Sequence, residues 1–407
     1  RAWDHGAPEA TVRDLPPGDY IAVVRAVDAV GNEDANTRAL TVNTRPAPAA
    51  EVLAWGFNYE GQVNGAPYAP EEVLAPTPVP PLSGRVVSVA AGVRFSLAVT
   101  DHGEVWAWGR NSHGELGRGD REPRGGVERA RGLGGAPHLT GARAVAAQGQ
   151  SAFALLHSGE VAAWGDLNPG PGDVPHLVPG LDGAPALTGV AQISAGELHA
   201  LALLESGAVA AWGGNGRGQL GDGGAETRAE PALVLSAPSG APLSGVVALD
   251  AAAHTSYALT ADGALWAWGG GDFGLLGDGQ AWSPDALAAQ RVTALDGGAP
   301  LPPARQVSGG HFHALLLLRD GRVAAWGNGS GGRLGLGDEE SARAPRLIPG
   351  LSGVVHVAAG ESYSFALTAD GGLWRWGGGA LSPERAQGAP RLTQVESGLN
   401  SDHHVAR

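Results

Sequence analysis

The dipeptide Trp-Gly recurs along the chain at Trp55, Trp108, Trp164, Trp212, Trp268, Trp326 and Trp376, at intervals of 48 to 58 residues. A period of tens of residues means that one supersecondary unit is copied along the chain, each copy covering its apolar face with its neighbours. Aligned on the tryptophans, the units share a text. A short apolar strand ends in Ala-Ala-Gly or similar, a second apolar strand follows, then a two-residue turn, a third strand ending in Trp-Gly, and a Gly-rich loop. The fifth unit shows it plainly, as Val246-Val247-Ala248-Leu249, Tyr257-Ala258-Leu259-Thr260, Asp262-Gly263 and Leu265-Trp266-Ala267-Trp268-Gly269. The turn recurs as Asp101-His102-Gly103, Ser158-Gly159, Ser206-Gly207, Asp320-Gly321 and Asp370-Gly371. Asx-Gly or Ser-Gly between two apolar runs signals a hairpin, because the turn needs a positive φ that glycine adopts without steric cost.

In Trp106-Ala107-Trp108, Trp266-Ala267-Trp268 and Trp374-Arg375-Trp376 the indoles stand two residues apart, on one face of a strand. Ten of the 12 Trp belong to this pattern, and only Trp3 and Trp282 fall outside it. Indoles so placed are expected to pack between neighbouring sheets rather than to form a ligand box. After Trp-Gly comes Asn111-Ser112-His113-Gly114-Glu115-Leu116-Gly117 or its kin, Asn215 to Gly221, Asp272 to Gly277 and Gly331 to Gly335; the third (Asp166 to Val174) and seventh (Gly377 to Pro383) units have lost it. Asn or Asp with spaced glycines predicts compact loops held by side chain to backbone bonds, with one Leu turned inward. A fourth strand follows, as in Ala344-Pro345-Arg346-Leu347-Ile348, and Gly-Ala-Pro at Gly65, Gly135, Gly183, Gly240, Gly298 and Gly388 marks further turns. Four short strands per unit, seven times over, predict an all-β, seven-bladed β-propeller.

The first unit, Glu51 to Gly56, has no opening strands, whereas Leu392 to Arg407 carries Val395-Glu396-Ser397-Gly398 and stops before any Trp-Gly. The two halves are expected to make one blade closed by N- and C-terminal strands, which removes the free sheet edges of an open array. Ahead of the ring, Leu15-Pro16-Pro17-Gly18-Asp19-Tyr20 and Ile21 to Asp28 resemble the tyrosine corner and following strand of an immunoglobulin-like or fibronectin type III domain, with Ala39 to Val42 as its last strand. The expected organisation is residues 1–45 as the end of a truncated sandwich, 46–50 as a linker and 51–407 as the propeller.

The 66 Gly and 29 Pro of the 407 residues approach a disordered composition, but 12 Trp and 43% hydrophobic residues supply too much buriable surface for that. They are read instead as the punctuation of many short strands. A net charge of −14 argues against nucleic acid and anionic lipid as partners. No apolar run approaches the roughly 18 residues needed to span a bilayer. With no Cys there is no disulfide framework or thiolate chemistry, and with no Met, even at position 1, an upstream reading frame is expected.

The repeat text, Ala-Gly-x-x-His followed by Asp-Gly-x-Val-Trp-Ala-Trp-Gly-x-Asn-x-x-Gly-Gln-Leu-Gly, is similar to that of the regulator of chromosome condensation family. The matching junctions are Gly196-Glu197-Leu198-His199, Gly310-His311-Phe312-His313 and Gly360-Glu361-Ser362-Tyr363. The resemblance implies a seven-bladed propeller over residues 51 to 407. It leaves function open, since members exchange nucleotide on a GTPase, sense ultraviolet light or hold protein partners on one scaffold. Light sensing in the family uses Gly-Trp-Arg-His-Thr; the nearest text here, Gly92-Val93-Arg94-Phe95-Ser96, lacks the tryptophan.

His199 and His313 share a repeat position with Phe95, Ser151, Thr255 and Tyr363, so they read as packing or hydrogen-bonding groups rather than metal ligands. His403 and His404, being adjacent, point to opposite faces of a strand. Arg118-Gly119-Asp120 is an integrin-type tripeptide, yet it is the local form of a repeated Gly-x-Gly-Asp whose aspartates, like Asp222, Asp278 and Asp338, are expected to cap turns. No cofactor, metal or catalytic motif is expected. Arg110, His113, Arg217, Phe273 and Arg333, displayed by the Gly-rich loops, mix arginine with aromatic character and are the candidate binding residues. The expected function is a non-enzymatic interaction scaffold, a monomeric ring of a secreted or cell-surface bacterial protein that binds a macromolecule by its loop face. The alternative is a polysaccharide hydrolase or lyase with its site at the channel mouth.

Overall fold

Strands of five to seven residues rich in Val, Leu and Ala, with a glycine at each reversal, can only bury both faces by stacking sheet upon sheet. The computed structural model describes residues 19–24, 38–43, 52–66, 72–122, 125–166, 172–280, 282–386, 392–397 and 403–407. The chain divides into two units, Arg1–Ala50 and Glu51–Arg407. In the first, Asp19–Val24 pairs antiparallel with Arg38–Asn43, Tyr20 opposite Val42. The tyrosine-corner text before Asp19 and the linker at 46–50 lie outside the described residues.

The second unit is a ring of seven antiparallel sheets. Blade 1 is composite: Val395–Ser397 and His403–Ala406 supply its inner strands and Leu53–Phe57 and Glu72–Pro78 its outer ones. Trp55 lies opposite His404 and Leu53 opposite Ala406, so the chain ends are stitched by one ladder. Blades 2 to 7 are continuous in sequence and begin at Val86, Ala142, Val190, Val246, Ala304 and Val354. Blade 5 gains an extra hairpin from the connection before it, Leu235–Ser236 with Ala241–Pro242, in which Ser236 pairs parallel with Ala289 of the outer strand.

The expected two-residue hairpin turns are one residue longer. In blade 5 Thr260 N–H donates to Ala264 O and Gly263 N–H to Thr260 O, with Gly263 at φ 88°, which is a three-residue loop closed by a left-handed glycine. Asp262 accepts the N–H of Ala264 and so fixes the turn from its first limb.

Core packing follows the tryptophan register. Trp108 and Ala98 face blade 1, where they meet Val52, Ala54 and Val405, while Leu97 and Ala107 on the other face meet Trp164 of blade 3. Trp55 closes the ring against Phe365 of blade 7, ring centroids 5.7 Å apart. Each buried indole removes on the order of 200 Å² from water, roughly 5 kcal/mol of transfer free energy.

Candidate functional site

The strand 1 to 2 junctions and the strand 3 to 4 loops leave every blade at the same end, and together they form one face of the ring. The Gly-rich loops are built from within. Asn111 and Asn215 accept the N–H of Leu116 and Leu220 through Oδ1, and their Nδ2 groups reach across to Asp120 O and Gly224 O. Leu116 and Leu220 are thereby turned into the core. One residue before the inward Val or Leu of the loop, Gln62, Glu115 and Gln219 fold back to accept the N–H of Glu60, His113 and Arg217.

The following blade then fastens the loop. Trp108 Nε1–H donates to Gln62 O at 2.8 Å, Trp164 to Glu115 O at 2.7 Å, Trp268 to Gln219 O at 2.9 Å, Trp326 to Leu275 O at 2.9 Å and Trp376 to Arg333 O at 3.0 Å. Trp212 follows the third unit, whose loop text is lost, and its buried Nε1 has no acceptor among the described residues. The Trp-Gly ruler is therefore both a packing group and the donor that holds the preceding loop to the ring.

The Gly-x-x-His junction has a related cause. Ser256 donates its hydroxyl to Gln219 O, so His199 Nε2 donates to Ser256 Oγ at 2.8 Å; His313 does the same to Ser364, which donates to Arg333 O. Each imidazole lies over the glycine three residues earlier: a Cβ on Gly196 would come within 2.5 Å of His199 Nδ1 and one on Gly310 within 3.1 Å of His313 Nδ1, as one on Gly92 would come within 2.5 Å of the Phe95 ring at the equivalent junction. Burial lowers both histidines to about 3, and they are neutral structural donors. His404 is likewise buried, with Nδ1 2.9 Å from Ser397 Oγ.

All five candidate binding residues sit on loops of this face, in two groups. Arg110 and His113 belong to blade 2, where Arg110 Nε lies 3.6 Å and His113 Nδ1 3.5 Å from the buried Oε1 of Glu115. Arg217, Phe273 and Arg333 belong to the loops of blades 4, 5 and 6. Arg217 is consumed locally, bidentate to Asp285 (2.7 and 2.8 Å) and bonded to Asp272 (2.8 Å), which raises its pKa further and makes it a brace rather than a free cation. Phe273 lies tilted against Trp282, ring centroids 5.4 Å apart, and edge-on to Phe312 at 5.9 Å. Phe312 in turn lies 4.1 Å from His311 and beneath the Arg333 guanidinium at 5.3 Å. His311 is 6.5 Å from His254, whose Nε2 is 3.9 Å from Glu197. A continuous band thus crosses blades 4 to 6, from Glu197 through His254, His311, Phe312 and Phe273 to Trp282. Among the five residues singled out by the repeat, only Phe273 and Arg333 lie in it. Trp282 carried one visible mark in the sequence, its place outside the tryptophan period.

The axis of the ring is a cavity of about 310 Å³, lined by the inner strands of all seven blades. Where blades 2, 3 and 7 present Ala90, Ala146 and Ala358 to it, blades 5 and 1 present Asp250 and Glu396. Burial raises both to about 7. Asp250 accepts from Ser194 Oγ of blade 4 at 2.8 Å and from Gly309 N–H of blade 6 at 2.7 Å, clasping three blades. Gln192 and Gln306 bond both main-chain groups of the next inner strand, at Leu249 and Val357.

The remaining sequence candidates are absorbed by the scaffold. Arg118 is nearly buried and paired with Asp120 and Glu128, so the Arg-Gly-Asp tripeptide does not present its cation. Asp120, Asp222, Asp278 and Asp338 each accept the N–H two residues on, as turn caps. Among the described residues no group of three or more His, Asp or Glu is placed to hold a metal ion.

Comparison with known proteins places this geometry. The model of the RCC1-like domain matches residues 51–383. The E3 ubiquitin-protein ligase HERC2 of Homo sapiens is 31% identical over 343 residues, which cover 80% of this chain and 7% of that protein. The ultraviolet-B receptor UVR8 of Arabidopsis thaliana is 33% identical over 307 residues, covering 74% of this chain and 66% of the receptor. This chain therefore spans a small part of some relatives. Among solved structures, human WBSCR16 superposes with a TM-score of 0.73 at 22% identity, covering 88% of this chain and 98% of that one, which shows the fold alone. With its repeat, its closed ring and this match over most of its length, the chain belongs to the RCC1-like domain family.

Proposed function

We propose that this ring is a non-enzymatic scaffold that binds a protein partner through its loop face. The observation that carries the reading is the band of aromatic, histidine and arginine side chains across blades 4 to 6, a composition enriched at protein hot spots. The loops that display it are fastened by indole N–H bonds and buried leucines, so the surface is preorganised and loses little conformational entropy on binding. Family membership supports the reading, since RCC1-like propellers chiefly mediate protein interactions. A secreted or surface location in a bacterium is carried as part of the proposal, supported by the immunoglobulin-like text ahead of the ring and by the Ala, Gly and Pro richness.

The polysaccharide-acting alternative would use the channel carboxylates. Both oxygens of Asp250 are engaged in holding neighbouring blades, which favours a structural role for it. The two readings are separated by affinity capture with the full chain beside a variant in which Arg110, His113, Phe273 and Arg333 are alanine. Loss of a captured partner in that variant, with the partner retained when Val247 and Val355 at the opposite end are changed to Asp, supports the scaffold. Turnover of a glycan panel that stops in Asp250→Asn or Glu396→Gln would reverse the conclusion.

A further inference from the structure

Trp282 is 68% exposed, the most exposed large apolar side chain among the described residues, although other indoles of this chain are buried as core. Its surroundings are built rather than incidental. Phe273, against which it packs with rings tilted, holds a φ of 56°, a conformation that bulky side chains rarely adopt, and beyond it Phe312 and His311 continue the aromatic surface. Asp272 is the bridge partner of Trp282, and Asp278 and Asp285 flank it in the same loop. Arg217 takes up Asp272 and Asp285. Arg333 already lies over Phe312, and the main chain of Arg343 packs against Gly274 and Gly279 of the loop. Asp278 is exposed, bonded only to the Gln280 N–H and the Ser283 hydroxyl, and no cation among the described residues pairs with it. The far end of the band adds Glu197.

An exposed, electron-rich indole face with the Asp278 carboxylate beside it, bonded to Gln280 N–H and Ser283 Oγ, attracts a cation. A guanidinium or ammonium over an exposed Trp contributes about 0.5–1 kcal/mol, and more once the site is desolvated. An anionic partner meets local repulsion here as well as the −14 of the whole chain. We propose that the occupant of the Trp282–Phe273 surface is an Arg/Lys-rich segment of a protein partner, one of whose cationic side chains lies on the Trp282 indole beside Asp278. The proposal rests on the reading that the loop face binds protein, and it adds the chemistry of what is bound.

The test titrates the full chain with deca-arginine, deca-glutamate and a neutral glucan hexasaccharide by calorimetry, at low salt and at 0.5 M salt. Deca-arginine is expected to bind and to weaken at high salt, and the other two are expected not to bind. Trp282→Ala should weaken deca-arginine about fivefold with an unchanged melting temperature, the fold-change expected for loss of one cation–π contact. Asp278→Asn should weaken it two- to threefold and flatten the salt dependence. Equal affinity in wild type and both variants, binding of deca-glutamate, or hexasaccharide binding that requires Trp282 would each overturn the proposal. If deca-arginine ignores Trp282 while partner capture still needs the loop face, the cationic segment fails and the scaffold reading stands.

Discussion

Trp164 and Trp212 hold the same position in consecutive blades and both are fully buried, but Trp164 donates to Glu115 O and Trp212 Nε1 has no described acceptor. Replacing either by Phe removes a similar apolar area, while only Trp164→Phe orphans a buried carbonyl. Urea unfolding should therefore find Trp164→Phe the more destabilising, by about 1–2 kcal/mol; equal costs would mean that the indole bond contributes nothing. The channel carboxylates set a pH dependence of definite sign. Asp250 and Glu396 have folded pKa values of about 7, above the ordinary 3.8 and 4.5, so their contribution is full at low pH and is lost as pH rises toward and through 7. His199 and His313 act in the opposite sense, since their pKa values of about 3 lie below 6.5 and their contribution is lost as pH falls from 6.5 toward 3. Unfolding midpoints measured between pH 6 and 9 should fall with rising pH in the wild type and fall less in Asp250→Asn. Superimposable profiles would show that Asp250 ionises freely.

At the scale of the element, the Gly-rich loop was readable because its chemistry is local: an Asn, spaced glycines and an inward Leu specify it within seven residues. Asn215 makes bonds to the Leu220 N–H, the Asp222 carboxylate and Gly224 O from a buried position, and Asn215→Ala should cost about 2–3 kcal/mol. Amide exchange of residues 216–224 should rise in that variant with blade 5 strands unaffected; unchanged exchange would put the loop's order elsewhere. The hairpin turn is one residue longer than Asp-Gly alone implies, because that pair fits a two-residue turn and the left-handed end of a three-residue turn equally well. What could not be read at this scale was the band over blades 4 to 6. His254, Phe273 and the pair His311 and Phe312 come from three different connections, and a repeat tells which positions are equivalent, not which side chains of unlike blades meet. Arg217 shows the same limit from the other side: the sequence displays it, and Asp272 and Asp285 take it up.

Over the whole molecule, closure was legible from the half unit at each end, since an open seventh sheet would expose unpaired strand edges. Val395–Ser397 and His403–Ala406 form the inner half of blade 1 and bury Val405 and Ala406 between blades 7 and 2. Removing residues 392–407 should accordingly lower the unfolding midpoint of the entire ring in one transition, whereas fraying confined to blade 1 would show that the clasp is dispensable. The two channel carboxylates were missed because nothing local in Leu-Asp-Ala or Val-Glu-Ser says that the side chain turns to an axis; that follows only once seven inner strands stand around it. The central claim, that the loop face over blades 4 to 6 is the binding surface, is tested most directly by hydrogen exchange of the full chain with and without its captured partner. Protection at 196–198, 252–254, 271–285 and 310–312, with none at the Asp-Gly turns of the opposite end, is the predicted result; protection at those turns and none on the loop face would contradict it.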